Sequence, residues 1–85
     1  MKRYRKKPVI VEAKQWFKEG DHKAVEAIPE ALTFFIPPKE GATGYLSEDG
    51  GGYFVKPGDW IIKGLEGDYY PCSPEVFEAT YEEVE

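Results

Sequence analysis

The sequence predicts a small α+β domain that is mostly β: an antiparallel sheet or partly open barrel of five to six short strands. One short helix near 21–28 and a helical turn near 74–77 complete it. Short runs of β-branched and aromatic residues recur along the chain, and Gly- and Pro-rich turns separate them at close spacing. A chain of 85 residues with Trp 2, Tyr 6 and Phe 5 has enough apolar area to offset the entropy of ordering, but no room for a second core. The expected organisation is therefore one domain over 1–85, with a basic leader at 1–7 and an acidic tail at 82–85.

The elements follow in chain order. Val9, Val11 and Ala13 alternate with Ile10, Glu12 and Lys14, and Trp16 continues the second set. That period of two predicts a strand over 8–16, with Pro8 at its first position. After Gly20, Asp21 suits a helix N-cap, and Ala24, Val25 and Ile28 recur at helical spacing until Pro29 stops them. The apolar run Leu32-Thr33-Phe34-Phe35-Ile36, ended by Pro37-Pro38, predicts a short buried strand.

The second half predicts hairpins. Tyr45-Leu46 and Tyr53-Phe54-Val55 bracket a Gly-rich tip. Lys56-Pro57-Gly58-Asp59 suits a type II turn, because glycine takes the positive φ of the third position without a Cβ clash. Trp60-Ile61-Ile62 then forms a strand, and Gly64 to Gly67 turns the chain into Tyr69-Tyr70. Ser73-Pro74-Glu75 has a helix start: a serine cap, a proline in the first turn and an acid near the positive helix end. Residues 78–81 are expected to close the sheet as a last strand. The expected core is Phe34, Phe54 and Phe77 with Val9, Val11, Leu32, Val55, Ile61 and Val76.

Charge is uneven. The net charge is −5, yet Lys2, Arg3, Arg5, Lys6 and Lys7 precede every acid, and the body and tail carry all sixteen carboxylates. A phosphate backbone needs a broad basic face, so duplex DNA is not an expected partner. The head is a solvated leader or a strap onto the acidic tail, and it could also meet a small anion or an acidic partner. No apolar run approaches the ~20 residues of a membrane-spanning helix, and the run Pro8 to Val11 is too short for a signal-peptide core. One cysteine, Cys72, cannot form an internal disulfide or a paired-cysteine zinc site. The expected setting is a reducing cytoplasm.

Two motif sets occur together: Tyr4-Arg5-Lys6-Lys7-Pro8-Val9 with Glu12-Ala13 and Gln15-Trp16 near one end, and Pro57-Gly58-Asp59-Trp60-Ile61-Ile62 with Gly64, Gly67, Tyr70-Pro71-Cys72, Pro74, Phe77-Glu78 and Thr80-Tyr81 near the other. In that ordered combination the chain resembles a group of small proteins encoded by bacteriophages and prophages. Residues 20–50 add little to the likeness, and Pro-Gly-Asp-Trp alone is only a good turn before a strand. The resemblance implies a phage origin and the cytoplasm of an infected bacterium, and it transfers no catalytic residues. Small phage proteins of this size include counter-defence factors, sequesterers of nucleotide signals and binders of host proteins, an analogy at the level of class.

The chemistry implied by the residues is sparse. His22 is the one histidine, fifty residues from Cys72, and nothing local orients either as a nucleophile–base pair. Cys72 is expected to be a small buried hydrophobe rather than a reactive thiol. Gly50-Gly51-Gly52 lacks the lysine and hydroxyl of a phosphate-binding loop. Asp59, Glu66 and Asp68 lack metal-ligand spacing, and Asp59 is expected to cap its own turn. No catalytic residue, metal or cofactor is assigned.

The aromatic surplus is the strongest functional signal. Strand alternation sets Trp16 opposite Val9 and Val11, and Trp60 opposite Ile61. The tryptophans either cover core edges, form an oligomer interface, or stack on a ligand beside basic groups. The expected function is a non-enzymatic, phage-encoded, homo-oligomeric binding protein that sequesters an anionic nucleotide-type immune signal. Trp16, Trp60 and Tyr70 would stack on the base, and Arg5, Lys14 and Lys63 would meet phosphate. The alternative is a module that binds and inhibits a host protein, and a small nucleotide hydrolase ranks third.

Overall fold

The computed structural model describes residues 1–4, 9–48 and 51–84. Six strands form two three-stranded antiparallel sheets, joined by one 3₁₀ turn and one short helix, as the mostly-β α+β prediction requires. The strands are β1 (Glu12–Gln15), β2 (Val25–Ala27), β3 (Gly44–Glu48), β4 (Gly51–Val55), β5 (Trp60–Lys63) and β6 (Tyr69–Cys72), and the helix α1 spans Pro74–Thr80. One sheet has the order β1-β5-β6 and the other β2-β3-β4. Neither sheet closes into a barrel.

Turn chemistry sets the second half, as expected. Gly58 sits at φ 97°, and the Asp59 amide donates to the Lys56 carbonyl at 3.0 Å, which closes the turn that Pro57 and Gly58 pre-form. The Asp59 carboxylate is buried and accepts from the Lys56 amide at 3.0 Å, so it caps its own turn. β3 and β4 pair from Gly44↔Val55 to Glu48↔Gly51, with the tip residues Asp49 and Gly50 outside the described segments. Ser73 caps α1, its hydroxyl accepting from the Val76 amide at 3.4 Å, with Pro74 in the first turn.

Four expectations are corrected. The first strand begins at Glu12, not near Pro8, which lies outside the described residues. β5 ends at Lys63, opposite Glu12, so residues 9–11 face no partner strand and Val9 is 44% exposed. Backbone donors form a ladder only where an acceptor strand exists.

Residues 21–28 do not form a helix. Asp21 caps backwards: its Oδ2 accepts from the Phe17 and Lys18 amides at 3.0 and 3.1 Å, so the carboxylate is not free to cap a helix ahead of it. Val25–Ala27 instead pairs with β3, Val25 opposite Leu46. Pairing across the fold satisfies the backbone groups that a helix of eight residues would satisfy only marginally.

Leu32 to Ile36 is not a buried strand. Glu30–Phe34 forms a 3₁₀ turn with Pro29 at its N-cap, and Phe34 and Phe35 are 79% and 85% exposed. Prolines on both sides cut the segment too short to reach a sheet edge. Residues 78–80 extend α1 rather than forming a last strand, and Tyr81 is its extended C-cap, the amide donating to the Phe77 carbonyl at 2.9 Å. The Phe77 and Tyr81 rings stack with centroids 5.0 Å apart, four residues apart at the helix end.

The core between the sheets is Trp16, Val25, Leu46, Val55 and Ile61, with Tyr69 packed against it. Of the expected core, Val55 and Ile61 are buried, Val11, Leu32, Phe54 and Phe77 are half-buried, and Phe34 and Val76 point outward. Trp16 holds its place by extending the β1–β5 ladder: its amide donates to the Asp59 carbonyl at 2.8 Å, and its carbonyl accepts from the Gly58 amide at 2.7 Å. Gly44 makes room for the indole, since a Cβ there would lie 2.8 Å from Trp16 Cη2 and from Val25 Cγ1.

Ile62 is also fully buried, but alternation along β5 turns it to the opposite face from Ile61. Trp60 and Tyr70 share that face, and α1 covers it through the contact of Phe77 with Trp60. The sheet β1-β5-β6 is therefore sandwiched between the other sheet and α1. Two buried isoleucines on adjacent positions of one strand contribute ~1.5–3 kcal/mol each. Among the described residues no helix is long and apolar enough to cross a membrane.

Candidate ligand-binding cleft

The pairing of β1 with β5 and of β5 with β6 aligns Glu12 with Lys63 and Tyr69, and Lys14 with Ile61 and Pro71. Period-two alternation puts all of these on the face toward the second sheet. Ile61 and Tyr69 enter the core, while Lys14, Lys63 and Glu12 remain exposed at its margin. The loop before β2 adds His22 and Lys23. Together these residues line a cleft of about 240 Å³.

His22 is fixed within the cleft. Its Nδ1 accepts from the Ala24 amide at 3.0 Å, so in the neutral ring the proton sits on Nε2. Its ring meets Tyr69 edge-on, centroids 5.1 Å apart at 76°. Tyr69 is anchored in turn, its amide donating to Glu48 Oε1 at 3.1 Å. Burial holds the imidazole pKa below its ordinary value, and the ammonium groups of Lys14 and Lys23 push it down further. Both ammonium groups stand close enough to disfavour a further positive charge on the ring. Glu12 is the one carboxylate lining it, and its Oε2 lies 3.8 Å from Lys63 Nζ in a largely exposed ion pair. Such pairs are weak and open readily to a competing anion.

The six residues expected at the site are separated by the fold. Lys14 and Lys63 come together in the cleft. Trp60 and Tyr70 lie on the opposite face of the same sheet, against α1. Trp16 is 1% exposed in the core, with no ring face available to a ligand. Arg5 lies outside the described residues. A base stacked on Trp60 and a phosphate held by Lys14 and Lys63 would thus stand on two sides of a sheet.

His22, Lys23 and Tyr69 were not legible as a site from the sequence. Alternation of Glu12 and Lys14 with the buried set could have placed those two on one face with Lys63. Nothing local announces that the 22–23 loop folds over that face. Cys72 lines a different cavity, beside Asp59, so His22 and Cys72 do not meet. Burial, then the Asp59 carboxylate, push the Cys72 thiol pKa up, which favours the neutral thiol over a reactive thiolate. Compared with known proteins, the chain matches no family model, no curated protein and no solved structure.

Proposed function

We propose that this chain is a non-enzymatic binding protein whose ligand is a small phosphate-bearing anion, in its most specific form a nucleotide-type signal withdrawn from a host defence pathway by a phage-encoded sequesterer. One observation carries the reading. Three lysines, Lys14, Lys23 and Lys63, and the histidine converge on one cleft of a chain whose net charge is −5. Ammonium groups and an imidazole N–H offer donors, which suit the oxygens of a phosphate. Capture of the anion by these donors is the reading taken, with a small nucleotide hydrolase ranked below it.

The phosphate group is therefore assigned to the lysines, and the rest of the ligand to the outer rim of the cleft. The tryptophans take no part in it. Because the lysines are exposed, affinity falls as salt rises.

The test is native mass spectrometry of protein purified gently from a bacterial host, repeated after denaturation, with calorimetric titration of pyrophosphate and a nucleotide panel. A released anion recovered unchanged supports the reading. Lys14→Glu and Lys23→Glu should each weaken binding about tenfold or more, the loss of one charge-assisted contact. No released mass, together with no heat from any of these anions, would remove the proposal and transfer weight to the host-protein alternative.

A further inference from the structure

A second cavity, of about 500 Å³, lies between β4 and the junction of β6 with α1. Its size falls within the ~300–1,000 Å³ of sites that enclose a small organic molecule. It shares no residue with the lysine cleft, and its chemistry differs. The cleft gathers three lysines and a histidine against one carboxylate. The cavity balances two lysines, Lys39 and Lys56, with two carboxylates, Asp59 and Glu75, and rings and prolines supply its apolar wall.

Asp59 is the fixed point of this cavity. It is 9% exposed, and its backbone is held on both sides. Its amide donates to the Lys56 carbonyl at 3.0 Å, and its carbonyl accepts from the Trp16 amide at 2.8 Å. The carboxylate caps the turn through Oδ2, and Oδ1 takes no part in that bond. Among the described residues, none of Lys39, Lys56, Asp59 and Glu75 is in an ion pair. Burying a carboxylate without a counter-cation costs free energy, and a cation entering from solvent offsets that cost. The negative charge also reaches Cys72 on the same wall, where it adds to burial in pushing the thiol pKa up.

The positive groups sit differently. Lys56 is half-buried and Lys39 is exposed, so the cavity runs from a buried anion to more accessible cations. A ligand that carries both an ammonium and a carboxylate matches this arrangement at each end. A nucleotide, with phosphates and no ammonium, would leave Asp59 uncompensated and meet Glu75 as a like charge. Tyr53 and Phe54 offer ring surface, and Pro71 and Pro74 offer apolar surface, for the carbon skeleton of such a ligand.

We infer that this cavity binds a free α-amino acid with an apolar or aromatic side chain, its ammonium on Asp59 and its carboxylate on Lys39 and Lys56. The site is independent of the anion reading above, since the two surfaces share no residues.

The native thiol is a reporter inside the cavity. Cys72 is the one cysteine of the chain, so its alkylation by a small maleimide can be followed by mass spectrometry. The rate is measured with L-phenylalanine, L-leucine, phenethylamine or 3-phenylpropionate present, beside calorimetric titration of each. Both amino acids should bind and slow alkylation. Phenethylamine and 3-phenylpropionate each lack one charge and should bind about tenfold more weakly or worse, the loss of a charge-assisted contact. Lys39→Glu should weaken L-phenylalanine about tenfold or more at an unchanged melting temperature, because the side chain is exposed. Lys18→Glu, an exposed lysine outside the cavity, should leave binding as it is. Asp59→Asn keeps an oxygen for the turn cap and should remove the protection, and Lys39→Glu decides the matter if that variant does not fold. No heat and no protection from either amino acid, equal binding of phenethylamine and L-phenylalanine, or undiminished binding by Lys39→Glu would each overturn the inference.

Discussion

The indole of Trp60 lies parallel to the ring of Phe77, with centroids 4.2 Å apart and planes 9° from each other. Phe77 continues the stack onto Tyr81. This chain of rings is what holds α1 to the back of the β1-β5-β6 sheet. A helix of seven residues is not stable alone in water, so its existence depends on the contact.

Phe77→Ala therefore should do more than open a cavity. The expected loss is about 2–3 kcal/mol, slightly below the range for a fully buried phenylalanine because the ring is half-buried. Urea denaturation followed by circular dichroism should show a lower midpoint and reduced native helical signal. Trp60 emission should shift to the red while that of Trp16, in the core, stays blue. An unchanged midpoint would mean that α1 is held by something other than this stack.

Tyr70 makes an alkaline prediction. Its hydrogen bond with Tyr81, reinforced by burial, pushes its pKa up to about 12 from the ordinary 10.0. The folded state thus favours the protonated phenol. That stabilisation is complete below pH 10 and is lost as pH rises through about 12. Tyrosinate absorbance should show one late-titrating tyrosine, and Tyr81→Phe should move it back toward the ordinary value. If Tyr81→Phe leaves the titration as it was, the hydrogen bond is not the cause.

His22 makes the acidic counterpart. Its pKa is lowered in the fold, by burial first and then by Lys14 and Lys23. The unfolded chain therefore binds a proton that the folded chain resists. The resulting stability is fully present above the ordinary 6.5 and declines as pH falls below it. Because the chain has one histidine, its ring proton resonances report the pKa without ambiguity. Lys14→Ala should raise the value, and so should saturation with pyrophosphate if the anion sits among the lysines. A midpoint at or above 6.5 in the free protein would contradict the reading of the cleft as electropositive.

Gly44 is expected to tolerate no side chain. A Cβ there meets Trp16 at 2.8 and 2.9 Å and Val25 at 2.8 Å, and both neighbours are locked in the core. Gly44→Ala should cost about 1–3 kcal/mol through overpacking. Trp16→Phe in the same background should recover part of that loss by freeing volume, which a double-mutant cycle would measure. Trp16 Nε1 has no hydrogen-bond partner among the described residues, so replacing the indole also removes a buried donor that costs stability. Strict additivity of the two changes would show that Gly44 is small for another reason.

The features that were legible in the sequence are those decided within a few residues. The turn at Lys56 to Asp59, the serine cap of α1 and the β3–β4 hairpin each follow from allowed φ and ψ, a missing amide or a nearby side-chain acceptor. Such constraints act before any tertiary contact exists. They were enough to predict a mostly-β domain of short antiparallel strands. Where a segment lacked a decisive local signal, the tertiary structure chose. Val25 to Ala27 is a strand because β3, some twenty residues away, supplies its hydrogen bonds. Phe34 points out because prolines bound its turn, and Trp16 points in because Gly44 clears a space for it. The lysine cleft was divided between legible and illegible in the same way: alternation relates Lys14 to Lys63, but the fold alone brings His22 and Lys23 over them. Local preferences differ by less than about 1 kcal/mol per residue, whereas burying one large side chain is worth about 1.5–3 kcal/mol. Where the two disagree, packing across the fold decides.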